Sequence, residues 1–170
     1  DNVMDKHYVT GMIFTLSWPS VTELAGRPVG RIIMTDFDRM PIDVGGDGNA
    51  FDLATMRTTT FGTFAMCAAE SSPSHPILDL KWIPRSPHEA PPCTGIMALY
   101  NRGDRRRWQW PCLHCWTWFE GKFDLLVWDD GPASNLEKAA TAHMACPHCG
   151  SMIHPDERHE MQQWGVWVPE

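Results

Sequence analysis

No stretch of this 170-residue chain approaches the roughly 18 consecutive apolar residues that a membrane-crossing helix needs. A secretory leader is missing as well, because the acidic opening Asp1–Asp5 supplies no positively charged n-region. The expectation is a protein that is neither secreted nor set in a membrane. Positive charge is scarce: 14 Lys and Arg against 21 Asp and Glu leave a formal charge of −7. That excludes a general sheath of nucleic-acid-binding charge, although a local basic patch can sit on an acidic body. The phosphate-cradling loop G-x-x-x-x-G-K-[ST] is absent, since Gly121-Lys122 lacks the partner glycine. What is present is 43% hydrophobic, 21% charged and 11% aromatic, a balance that suits one core or two small modules and not a disordered tail. The chain starts at Asp1 and not at methionine, so it is expected to be cut from a longer polypeptide.

Four of the six cysteines form two C-x-x-C pairs, Cys112/Cys115 and Cys146/Cys149, separated by Trp116–Ala145. Each pair continues into a turn-like segment, Pro111–Cys115 and Cys146–Gly150, as the knuckles of a zinc ribbon do. Two such turns let four thiolates meet tetrahedrally around one Zn²⁺ at about 2.3 Å. The competing reading is a disulfide pair, but C-x-x-C bridges are usually redox-active and nothing in the chain reads as secreted. Cys67 and Cys93 read as plain thiols. His114, His143, His148 and His154 crowd the same region, yet four thiolates already close the shell. A closed shell leaves no position for water, so such a zinc folds the module and does not catalyse.

Prolines Pro84, Pro87, Pro91 and Pro92 divide the chain into parts 1–92 and 93–170. In the first, Met12–Leu16 reads as a short strand, and Ser20–Leu24 as a helical turn capped by Ser20 or Thr22. Val29–Thr35 is a buried-strand pattern that ends in Asp36-Phe37-Asp38. A Gly/Asp loop, Asp43–Gly48, leads to a helix over Asp52–Thr58. Thr60–Ala69 reads as a second buried strand, ending in Glu70-Ser71-Ser72-Pro73. Two apolar strands flanking a helix, both ending in polar residues, predict parallel α/β geometry with chemistry at the carboxyl edge. A carboxylate directly after such a strand is where Walker-B aspartates hold Mg²⁺ on a nucleotide, but many surface loops also begin with Asp.

In the second part, Arg102, Arg105, Arg106, Arg107, Trp108 and Trp110 precede the first knuckle. Arginines interleaved with tryptophans can clamp phosphates and stack on bases. They can equally be ion-paired and buried against a ribbon too small to build its own core, with Asp104 and Asp124 as carboxylate partners. Trp116-Thr117-Trp118-Phe119 and Gly165–Val168 read as short strands, so Trp116, Trp118, Trp128, Trp164 and Trp167 are expected to pack the ribbon sheet. Glu137–Ala145 reads as a helix leading into the second knuckle.

Thr35-Asp36-Phe37-Asp38-Arg39-Met40-Pro41, Asp47-Gly48, Arg57–Phe61, Glu70–Pro73, His88–Gly95, Tyr100–Arg106 and Trp110–Cys115, taken together and in order, resemble the large subunit of tailed-phage DNA terminase, lambda-like class. Members of that family carry an ATPase motor and a C-terminal nuclease, translocate viral DNA into a procapsid and cut it to length. The resemblance implies the middle of such a protein: an α/β, partial P-loop-type (ASCE-like), mostly parallel sheet followed by a small β-rich zinc ribbon. It implies Mg²⁺ and ATP in the parent protein and a structural Zn²⁺. The implied partners are double-stranded viral DNA, the small terminase subunit, the portal of the procapsid and further copies of the motor, all in the host bacterial cytoplasm.

Asp36 then matches the Walker-B aspartate. The family commonly places a glutamate next to orient the attacking water. Phe37 occupies that slot here, and Asp38, one step further, is the first alternative for the catalytic carboxylate. Ser71 and Ser72 match the coupling segment in which a hydroxyl senses the γ-phosphate; otherwise they form an ordinary Ser/Pro turn. Arg57 reads as an ion-pair partner in preference to a phosphate contact. Two other classes stay open: a stand-alone zinc-ribbon module that binds nucleic acid or protein, and a metal-dependent hydrolase built on Asp36, Asp38 and His75 or His88. The second matches no H-E-x-x-H or comparable spacing.

Overall fold

The computed structural model describes residues 4–131 and 134–170, so the first three residues of the Asp1–Asp5 opening lie outside it. The chain forms two compact units: the described part of residues 1–83 with Ala90–Tyr100, and Pro84–Glu89 with Asn101–Glu170. The chain passes between the two units at 83–84, 89–90 and 100–101.

In the first unit, β1 (Asp5–His7) pairs antiparallel with β2 (Ile13–Thr15). Helix α1 (Val21–Ala25) starts at Ser20, whose hydroxyl accepts the Glu23 N–H and so satisfies one of the free donors of the first turn. Strand β3 (Arg31–Met34) leads through Asp36 and a 3₁₀ turn, Phe37–Arg39, into the Gly/Asp loop. There the Asp43 carboxylate accepts the N–H groups of Gly46 and Gly48 and closes the turn. Asn49 caps α2 (Ala50–Thr58) through the Asp52 N–H at 2.9 Å. Strand β4 (Met66–Ala69) then pairs parallel with β3, Arg31 opposite Met66 and Met34 opposite Ala69.

Ala50, Ala54 and Thr58 recur every fourth residue, so α2 turns one narrow stripe of small buried side chains inward. Leu24, Met34, Phe37, Val44, Ala50 and Ala54 form the core, with Ile32, Phe51, Cys67, Ala69, Ile96 and Leu99 packed against it.

Three expectations change. The apolar run at 29–35 is buried on one face only, with Met34 inside and Ile33 66% exposed. Thr60–Ala69 is not one strand: Thr59–Phe64 coils as 3₁₀ turns broken at Gly62, whose φ of +54° no extended strand adopts. The sheets among the described residues have two or three strands, so the molecule is a mixed α/β fold with small sheets and one parallel pair, not a broad parallel sheet.

Helix α3 (Ile96–Arg102) carries the chain out of the first unit. The second unit holds two three-stranded antiparallel sheets. One is ordered β10–β5–β6, from β5 (Arg107–Pro111), β6 (Trp118–Phe119) and β10 (Val166–Val168). The other is ordered β7–β8–β9, from β7 (Leu126–Val127), β8 (His143–Ala145) and β9 (Met152–Ile153). Helix α4 (Asn135–Ala140) has a full capping box between Ser134 and Glu137 and stops at Ala140. The expected helix over Glu137–Ala145 is cut short because 143–145 is claimed by pairing with β7 and β9. Helix α5 (Arg158–Gln163) buries Met161 beside Cys112, Phe119, Cys146 and Ile153. Two tryptophan rings of β5 approach glycine backbone closely: a Cβ on Gly121 would collide with Trp110, and one on Gly165 with Trp108.

Candidate functional site

Each cysteine pair sits in the turn of a β-hairpin, and the two turns repeat each other. Pro111 pairs with Trp118 around the first, Ala145 with Met152 around the second. The Cys112 N–H donates to Thr117 O at 3.0 Å and the Trp116 N–H to Cys112 O at 2.8 Å. The Cys146 N–H donates to Ser151 O and the Gly150 N–H to Cys146 O, both at 2.9 Å. This shared frame points four sulfurs inward. Cys112 and Cys149 Sγ are 3.8 Å apart, Cys115 and Cys146 Sγ 3.9 Å, and all four lie within 4.8 Å of one another. A tetrahedral ion with metal–sulfur bonds of about 2.3 Å requires sulfur edges of about 3.8 Å, so the set fits zinc. All six cysteines are free of disulfides.

The protein alone splits the thiols electrostatically. Burial pushes Cys112 up to about 12, whereas the Ser151 hydroxyl and N–H draw Cys149 down to about 6. Neighbouring histidines are engaged elsewhere: His114 with Glu157 at 3.3 Å, His143 with Thr141 O at 2.8 Å, and His154 with Asp156 at 3.2 Å. Among the described residues, the four cysteines are the only group of three or more His, Cys, Asp or Glu side chains whose ligand atoms converge. Asp36, Asp38, His75 and His88 are not brought together as a metal set.

The second candidate is the carboxyl edge of the parallel β3–β4 pair. Asp36 stands just beyond β3 in the left-handed region, φ 52° and ψ 45°, with its side chain in solvent. Glu70 stands at the same level beyond β4 and holds the turn at two successive residues: its carboxylate accepts the Asp36 N–H at 3.2 Å and its carbonyl the Phe37 N–H at 3.0 Å. The left-handed turn directs the next side chain inward, so Phe37 is buried against Phe51, edge to face at 6.3 Å. The slot that would take a glutamate thus belongs to the core. Glu70 is the residue that sequence reasoning passed over. Its signal was available, since it follows an apolar strand as Asp36 does.

Asp38 is buried. Its Oδ2 accepts the Ser74 N–H at 2.8 Å and its Oδ1 the Ile96 N–H at 2.6 Å, with His75 Nε2 at 4.0 Å. Burial pushes this carboxyl up, but the backbone donors and the His75 imidazole together hold it below its ordinary value. Ser71 Oγ accepts the Asp38 N–H at 3.0 Å and donates to Ser72 O at 3.2 Å, while Ser72 itself is exposed. Arg57 donates to the carbonyls of Arg27, at 2.8 Å, and Glu23, and so closes the end of α1, with the Glu23 carboxylate close enough to act on its charge.

In the basic cluster, Arg105 pairs with Glu170, Arg106 with Asp104 at 2.7 Å and Arg107 with Glu120 at 3.0 Å. Arg102 ends α3. Trp108 packs edge-on against Trp167 at 5.4 Å. The partners differ from the expected Asp104 and Asp124 in that Glu120 and Glu170 replace Asp124.

No helix of the described residues is long and apolar enough to cross a membrane. A family model described as phage terminase large subunit gpA, ATPase domain, matches residues 1–167. No curated protein and no solved structure matches the chain.

Proposed function

Because the chain belongs to the ATPase-domain family of the phage terminase large subunit gpA, we propose that it is the later part of the ATP-driven motor that packages viral DNA, joined to a zinc ribbon. The observation that carries this reading is the shared edge of β3 and β4, where Asp36 and the Glu70–Ser72 segment stand side by side at the ends of parallel strands. Ligand sites of open α/β sheets lie at that edge.

Asp36 is the residue that would hold Mg²⁺, because its carboxylate is open to solvent on a backbone fixed by two bonds to Glu70. Mg²⁺ supplies neutralisation of phosphate charge when bound. The phosphate-binding loop and the nuclease belong, in this reading, to other parts of the parent polypeptide. Ser71 and Ser72 form the segment that senses the nucleotide. Cys112, Cys115, Cys146 and Cys149 would hold Zn²⁺, which supplies a cross-link between the two hairpins. Arg106, in an exposed ion pair of little intrinsic strength, is the residue of the Arg102–Trp108 cluster best able to exchange its carboxylate for a DNA phosphate. The parent motor works on double-stranded viral DNA with the small terminase subunit and the portal, as an oligomer, in the host bacterial cytoplasm.

The test is DNA-stimulated ATP turnover by the full-length parent polypeptide and its Asp36→Asn form at matched Mg²⁺. The expected result is a loss of about 10²-fold or more with zinc content unchanged. Unchanged turnover overturns the nucleotide assignment and leaves a binding module built around the four cysteines.

A further inference from the structure

Asp38 lies two residues from Asp36, yet its surroundings are those of an anchor. Its side chain is 1% exposed. Both carboxylate oxygens are engaged by backbone N–H groups, Ser74 on one and Ile96 on the other. Its own N–H is held by the Ser71 hydroxyl. The approach of the 95–96 backbone is closer than any side chain there would permit: a Cβ on Gly95, where φ is +74°, would fall 2.2 Å from Asp38 Oδ1. Three segments distant in sequence therefore meet on one side chain: the turn after β3, the stretch after β4 and the start of α3. A carboxylate that orients an attacking water must reach it directly or through one solvent molecule. The buried Asp38 oxygens face backbone donors and the His75 imidazole instead.

We propose, on the basis of the ATPase reading above, that Asp38 is a positioning residue and not a catalytic one: it locks the Ser71–Ser74 segment and the start of α3 into a single body with Asp36. A buried carboxylate that loses one of its donors is left uncompensated, so the two segments move together or not at all. Rearrangement of the coupling segment is thereby passed to α3, the helix by which the chain leaves the first unit.

The experiment uses the full-length parent polypeptide with Asp38→Asn. The amide keeps the shape of the carboxylate but turns an NH₂ group against one of the backbone donors. DNA-stimulated ATP turnover is expected to fall only about 3- to 10-fold, far less than the 10²–10⁴-fold typical of a lost acid–base group. The acid limb of the pH–rate profile is expected to stay in place, and DNA packaged per ATP hydrolysed to fall about tenfold. A merely structural role would reduce the active fraction and leave DNA per ATP unchanged, and that result overturns the proposal. So does a turnover loss of about 10³-fold or more with zinc content and fold intact. Gly95→Ala, whose methyl group would press the start of α3 away from the Asp38 carboxylate while leaving the charge itself in place, is expected to lower DNA per ATP in the same direction and decides the matter if Asp38→Asn does not fold. Asp36→Asn measured alongside separates the two readings, because intact turnover in that variant removes the nucleotide site itself.

Discussion

Trp116 and Gly150 occupy the same place in two turns of matching hydrogen bonding, and both lie in the left-handed region, at φ 56° and 72°. Each donates its N–H to the carbonyl of the first cysteine of its pair. The position is set by the need to fold four residues around a metal-sized gap, so its backbone geometry does not depend on which residue fills it. Glycine adopts it freely, whereas a tryptophan pays about 1–2 kcal/mol. Trp116 recovers part of this through its edge-to-face contact with Trp164 at 6.2 Å, worth about 0.5–1.5 kcal/mol.

Substitution at the two positions is therefore expected to be unequal. Gly150→Val lowers the stability of the zinc-loaded protein by about 1–2 kcal/mol, while Trp116→Gly changes it by less, since strain relief and ring loss oppose each other. Denaturant midpoints at fixed zinc measure both. Equal losses at the two sites would show that the repeat of the turns has no energetic meaning.

The sulfur geometry predicts one zinc per chain. Cys146→Ser, which removes a buried ligand, is expected to abolish stoichiometric zinc by elemental mass analysis, whereas His114→Ala leaves it intact because that ring faces Glu157. Chelation is expected to unfold the second unit, because in small metal modules binding energy is folding energy. Tryptophan emission reports this directly: Trp116 and Trp118 both lean on Trp164. Emission that is indifferent to a strong chelator would contradict a structural zinc.

The parts of the molecule that were legible in sequence are those whose causes are local. Four cysteines in two short turns, a Ser20 cap next to its helix, and aspartate and glutamate placed at strand ends all carry their geometry within a few residues. Parallel pairing of β3 with β4 was also readable, because two apolar runs flank a helix. The buried setting of Asp38 was not legible, since its partners, Ser74 and Ile96, are 36 and 58 residues away. Helix α4 was extended too far because the strand partner that claims 143–145, Leu126–Val127, precedes it in the chain. The inward turn of Phe37 depends on the left-handed conformation of Asp36, which an aspartate permits but does not announce.

Acid stability should expose the Asp38 anchor. Its folded-state carboxyl is held below the ordinary value by the Ser74 and Ile96 N–H groups and His75, against the opposing effect of burial. The stabilisation is complete above an ordinary carboxyl pKa of about 4 and is lost as pH falls through the lower folded value. Asp38→Ala is expected to cost about 2–4 kcal/mol at neutral pH, by leaving two buried donors unpaired. It also flattens the decline of stability below about pH 4. Parallel pH–stability curves for the two proteins would mean that another group controls acid unfolding.

Arg57 offers a separate check on how the first unit is held, because its guanidinium donates to the carbonyls of both Glu23 and Arg27. These carbonyls lie in and just beyond the last turn of α1, where no intrahelical donor remains. A planar fork spans two acceptors at once, which the single ammonium of a lysine does not. Arg57→Lys is therefore expected to lose nearly as much stability as Arg57→Ala, about 1–2 kcal/mol in each case, seen as matching shifts of the unfolding midpoint. Because the guanidinium faces backbone and not the β3–β4 edge, both variants should leave the KM for ATP of the full-length parent within about twofold of the unaltered protein. A large rise in KM with unchanged stability would instead return Arg57 to the role of a phosphate contact.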